Sequence, residues 1–132
     1  MNKETAVADL TNLMAKFTAY IGKRLPTDVT ARLGELREKE VNFLAKEVYE
    51  SMRANQEAAD KLDRPSCQDT GVIQYFLTAG ARFPLLGELE GILQGATAGA
   101  TKEGPLRHNA VETFEEKNTG TNTGRKMPAL DW

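Results

Sequence analysis

The chain holds one cysteine, one histidine and one tryptophan in 132 residues. A lone thiol closes no disulfide within the chain, and even with the histidine it falls short of the ligand count of a zinc or iron–sulfur site. The opening MNKETAVADL lacks the basic start and apolar core of a secretory signal. No apolar run approaches the roughly 20 residues that cross a bilayer. A cytoplasmic protein with no membrane role is therefore expected. Charge of one sign is lacking too: 17 Lys and Arg stand against 19 Asp and Glu. That balance argues against a surface built for nucleic-acid phosphates.

What is present is mostly helical pattern. The length suits one domain, burying roughly two-thirds of the surface its unfolded form exposes. Leu10, Leu13, Met14, Phe17, Tyr20 and Ile21 recur at helical steps. They predict a helix from about Thr5 to Arg24, with Leu10, Leu13, Phe17 and Ile21 buried. Pro26 ends it, and Thr27 or Asp28 is suited to cap a short second helix carrying Val29, Leu33 and Leu36. Val41, Leu44, Val48 and Met52 continue the pattern to about Asp60, with Gly34 and the charge run REKE leaving the boundary between the two helices open. VIQYFLT, Val72 to Thr78, is β-branched and aromatic between glycines and predicts a strand. Behind Pro84, Leu85, Leu86, Leu89, Ile92, Leu93 and Ala96 predict another helix, although each of its glycines costs about 1 kcal/mol relative to Ala. The expected class is α+β and helix-dominated: N-terminal helices, a short strand near residues 72–78, a further helix and a turn-rich C-terminal segment.

RPSCQDTG, residues 64–71, sets Cys67 among polar neighbours at the end of a helix. A buried structural cysteine behaves as a small hydrophobe and keeps apolar company. Here Gly71 permits a tight turn, and Gln68, Asp69 and Thr70 can orient a ligand or satisfy backbone groups. Arg107, beside His108 and Asn109, is a second dense patch of polar chemistry, and a planar guanidinium donates two parallel hydrogen bonds to a carboxylate. A surface arginine is the plainer alternative, as a buried inert thiol is for Cys67. NTGTNTG, residues 118–124, lacks the GK[ST] ending of a phosphate loop and reads as turn structure.

RPSCQDTG, RFPLLGELEGIL and PLRHNAVETFEEKNTGTNTG together resemble the N-terminal part of alpha-type chains in the class I fumarase family of iron–sulfur hydro-lyases. The resemblance runs from about Pro26 to Trp132, and PLRHNAVE favours the tartrate branch over the fumarase branch. It implies a [4Fe–4S] cluster held by three cysteines in the complete enzyme, a hydroxy-dicarboxylate substrate and a beta subunit as partner in a hetero-oligomer or dimer. Carried over by position, Cys67 is one cluster ligand, Gln68 and Asp69 lie close to substrate, and Arg107 grips a substrate carboxylate. The other two ligand cysteines and the catalytic base have no counterpart in the chain. Residues 1–132 are accordingly expected to be the N-terminal part of the hydro-lyase alpha-type domain, cut at its C-terminus, and alone to bind no cluster and be inactive. A non-catalytic helical interaction module derived from the family is the alternative.

Overall fold

Residues 2–67, 69 and 71–132 are described by a computed structural model. Asn2 starts the first helix, its side chain accepting the Thr5 N–H at 2.7 Å, and α1 runs Lys3–Lys23. Capping of this kind satisfies a donor that has no partner inside the helix. After Pro26, α2 spans Thr27–Lys39. Thr27 is its first helical residue, and neither it nor Asp28 serves as the N-cap, because Pro26 occupies that position and offers no side-chain acceptor. The open boundary falls at Glu40–Asn42. Glu40 Oε1 accepts the N–H groups of Val41 and Asn42, both at 2.9 Å, and Asn42 caps α3, Phe43–Leu62.

Strand β1 is Gln74–Phe76, the centre of the predicted segment. A 3₁₀ turn at Leu86–Glu88 leads into α4, Leu89–Glu103. The turn-rich end supplies β2 Val111–Glu112, β3 Lys117–Asn118 and β4 Ala129–Asp131. β2 and β3 pair antiparallel, whereas β4 returns to pair parallel with β1 in the register Gln74–Ala129, Tyr75–Leu130 and Phe76–Asp131. The class is α+β and helix-dominated. Among the described residues no helix is long and apolar enough to cross a membrane.

The core lies between α1 and α4, the most extensive pairing of elements in the chain. It is built from small side chains: Ala15, Thr18 and Ala19 of α1 face Ile92, Leu93, Ala96, Thr97 and Ala100 of α4. Two of the glycines that weaken α4 locally are what let the helices approach. A Cβ on Gly95 would sit 3.1 Å from Thr11 Cγ2, and one on Gly99 would sit 3.2 Å from Ala15 Cβ. Tyr75 joins β1 to this pair, its hydroxyl lying 2.9 Å from Thr18 Oγ1 and 3.3 Å from Thr97 Oγ1.

The predicted core stripe of α1 is overturned. Leu13, Phe17 and Ile21 are 62%, 53% and 55% exposed, and Leu10 is only half-buried. The adjacent face, small enough for close helix packing, takes the contact with α4 instead. The expected burial of two-thirds of the surface also fails. The chain exposes 9417 Å², against roughly 6,900 Å² for a compact monomer of its mass.

Candidate functional site: two loops joined by asparagines

α3 ends where Asp63 takes a left-handed conformation, φ 50°, and the Arg64 N–H bonds back to Ala59 O at 3.0 Å. Such a turn closes the carbonyls left open at a helix end, and Pro65 then prevents the helix from resuming. Asn55 of α3 donates from Nδ2 to Ser66 O at 2.5 Å, fixing the residue before Cys67. Cys67 is exposed. Its Sγ accepts the Asp69 N–H at 3.4 Å, a contact that ties the thiol to the turn after it. Asp69 Oδ1 accepts the Gly71 N–H at 3.1 Å, a local turn for which Gly71 adopts φ 71°. Gln68 and Thr70, singled out with Cys67, lie outside the described residues.

The second loop follows α4. Leu106 is buried with Ala19 and Ala100, so the residues after it start from a fixed point in the core. Arg107 and His108 are exposed and Asn109 is half-buried. Beneath them is Asn122, buried and at φ 57°, a conformation that asparagine tolerates better than most residues. Its Oδ1 accepts the backbone N–H groups of Asn109 at 2.8 Å and Ala110 at 3.2 Å. Its Nδ2 donates to Arg107 O at 2.8 Å and to Thr101 Oγ1 of α4 at 3.1 Å. Asn118 holds the same loop from another side, donating to His108 O while accepting the Gly120 N–H.

The two loops meet at Asn109. Its Nδ2 donates to Asp69 Oδ1 at 3.2 Å and to Gly71 O at 2.8 Å. The Cys67 loop and the Arg107 loop therefore form one surface, although they are far apart in sequence. Cys67, Asp69 and Arg107 are exposed on it. An exposed thiol with an N–H on its sulfur suits one corner of a thiolate-held cluster. Among the described residues, no group of three His, Cys, Asp or Glu side chains is placed to hold a metal ion. The donor chemistry of Cys67 fits a thiolate-held cluster in kind.

Asn55 and Asn122 escape a reading of the sequence, and the linking role of Asn109 escapes it too. Asparagine in a turn-rich stretch looks like punctuation, and both NTG triplets read as turns. The available signal was their repetition four residues apart at Asn118 and Asn122, where each asparagine side chain serves the loop after α4.

The family model described as fumarate hydratase (Fumerase) matches residues 11–131. The L(+)-tartrate dehydratase subunit alpha of Escherichia coli strain K12 is 50% identical over 131 residues, which is 99% of this chain and 43% of the relative. The corresponding protein of Shigella sonnei matches equally well. A putative L(+)-tartrate dehydratase subunit alpha from Methanocaldococcus jannaschii is 34% identical over 110 residues, 81% of this chain and 38% of that protein. The chain spans less than half the length of these relatives. The family match also takes in most of α1, which precedes the Pro26 boundary at which the resemblance in the sequence begins. With the two loops of its candidate site inside the matched region, the chain belongs to the fumarate hydratase (Fumerase) family.

Proposed function

We propose that residues 1–132 form the N-terminal part of the alpha-type domain of an iron–sulfur hydro-lyase, acting on L-tartrate to give oxaloacetate or interconverting malate and fumarate. The observation that carries this reading is the Asn109 bridge, which sets a candidate cluster ligand and a candidate carboxylate clamp on one surface. Identity to proteins named as alpha subunits of tartrate dehydratase supports the tartrate branch and a beta subunit as partner. A cytoplasmic location suits an exposed lone thiol that has to stay reduced.

In this reading Cys67 holds one iron of a [4Fe–4S] cluster, and the remaining ligands come from outside residues 1–132. When bound, the cluster supplies Lewis acidity toward the substrate hydroxyl. Arg107 grips a substrate carboxylate through its planar fork, and Gln68 and Asp69 orient the polar groups next to it. The net reaction removes a proton from one carbon and hydroxide from its neighbour, and with tartrate the resulting enol tautomerises to oxaloacetate. The base that takes the proton is assigned to a segment beyond this chain or to the partner subunit.

The test is anaerobic reconstitution of a family-length alpha chain together with its beta partner. Cys67→Ser is expected to abolish both the cluster absorption band and turnover, while the isolated chain of residues 1–132 gains no stoichiometric cluster. A full cluster band and normal turnover in the Cys67→Ser enzyme would contradict the assignment.

A further inference from the structure

Asn122 and Asn109 do more than close a turn. All four hydrogen-bonding positions of the Asn122 amide are used, and each bond falls on the Arg107 loop or on its support in α4. Thr101 Oγ1, the α4 end of this clamp, is itself fixed by carbonyls, lying 2.8 Å from Thr97 O and 3.0 Å from Thr121 O. A connected path of hydrogen bonds thus runs from the α4 core through Asn122 to the backbone of Arg107 and Asn109. From the Asn109 side chain it continues to Asp69 and Gly71, and from the Asp69 N–H to Cys67 Sγ. Neither asparagine lies within a helix of the core.

We infer that Asn122 and Asn109 are positioning residues which set the carboxylate clamp at Arg107 in register with the Asp69 and Cys67 loop, and so determine affinity for a dicarboxylate. The inference rests on the proposed function above. A bidentate clamp is sensitive to placement, because an arginine fork bonds both carboxylate oxygens only within a narrow range of position and angle. Displacement of a binding group by about 1 Å can cost on the order of 100-fold. Asn122 holds the loop at the carbonyl of Arg107 itself, and Asn109 holds it against the neighbouring loop.

The experiment is a double-mutant cycle in the assembled enzyme, read by the Kd of succinate, a dicarboxylate with no hydroxyl to eliminate, and by the cluster absorption band. Asn122→Gly removes the side chain but keeps a residue at ease with positive φ. Asn109→Ala removes only the bridge. Each is expected to weaken succinate about 10- to 100-fold with the cluster band retained. Combined with Arg107→Ala, each should add almost nothing, since a clamp that is gone cannot be misplaced. If Asn122→Gly does not fold, the Asn109→Ala cycle decides. Asparagine variants within twofold of the unaltered enzyme, or effects fully additive with Arg107→Ala, would overturn the positioning role while leaving the site reading intact. An Arg107→Ala enzyme that binds succinate normally would remove Arg107 from the site and this inference with it.

Discussion

The α1–α4 pair and the α2–α3 hairpin are both helical, both amphipathic, and differ in almost everything else. In the pair, Ile92 and Leu93 are 1% and 2% exposed and Ala96, Thr97 and Ala100 are fully buried. In the hairpin, α2 buries no residue and α3 buries Ala59 alone, while Val41, Phe43, Leu44 and Val48 face solvent. An ion pair links the two helices of the hairpin, Arg37 of α2 reaching Glu50 of α3, and Arg53 and Glu57 continue the chain of charges along α3. Exposed pairs of this kind contribute little individually. The lesson is that an apolar stripe marks a face able to be covered, without saying that this chain covers it. In-chain burial goes to the surfaces that approach closest, here the glycine and alanine face of α4.

The largest effect that would sharpen this contrast is a cavity in the pair. Ile92→Ala is expected to destabilise the chain by roughly 2–5 kcal/mol, whereas Leu44→Ala, at a side chain 71% exposed, should stay within about 0.5 kcal/mol. Urea titration followed by circular dichroism checks both, and comparable losses would erase the distinction between the two regions.

A smaller effect is expected from paired glycine substitutions. Gly99→Leu overpacks the α1–α4 seam, where even a Cβ meets Ala15 at 3.2 Å, and should cost about 1–3 kcal/mol. Gly34 of α2 has open space around its would-be Cβ. Gly34→Ala should instead stabilise the helix, by up to about 1 kcal/mol. Thermal melts of the two variants moving in opposite directions would support the comparison, and a loss of stability in both would break it.

The smallest effect is the response to acid. Hydrogen bonds from Arg53 and then Arg37 hold the Glu50 carboxyl below the ordinary range, and a hydrogen bond from Lys23 at 2.9 Å holds that of Asp63 below it. A carboxyl whose pKa is lowered on folding contributes stability that is complete above its unfolded pKa and lost as the pH falls through the folded value. Acidification below about pH 4 should therefore loosen the hairpin and the end of α3 before the pair. Amide exchange across that window reads it directly. Equal protection in both regions, changing together, would contradict the contrast.

How much of this was legible depended on what kind of signal each feature leaves. Helix extents follow from periodicity and stop residues, and those of α1 and α3 lie within a few residues of their expected ends. The buried face of α1 was not legible, because the large side chains at Leu13, Phe17 and Ile21 dominate any reading by hydrophobicity while Ala15, Thr18 and Ala19 do the packing. The strand at 72–78 shortened to Gln74–Phe76, since its one ladder partner, β4, is itself only Ala129–Asp131. Cys67, Asp69 and Arg107 stood out by residue type in a polar setting, and the structure brings their loops together. The asparagines that do the joining left no such mark, since an amide's role depends on partners that only folding supplies.

The central claim is that the two loops form one dicarboxylate-binding surface with Arg107 as its clamp, and paired kinetics and denaturation of Arg107→Lys in the assembled enzyme test it most directly. Lysine keeps the charge and removes the fork. Loss of a charge-assisted hydrogen bond predicts a fall in kcat/KM of about 10- to 150-fold, equivalent to roughly 1.5–3 kcal/mol. Stability should change far less than activity, because the Arg107 side chain is exposed. Near-normal kcat/KM would contradict the account, and a large loss of stability with activity retained would make Arg107 a residue of the fold instead.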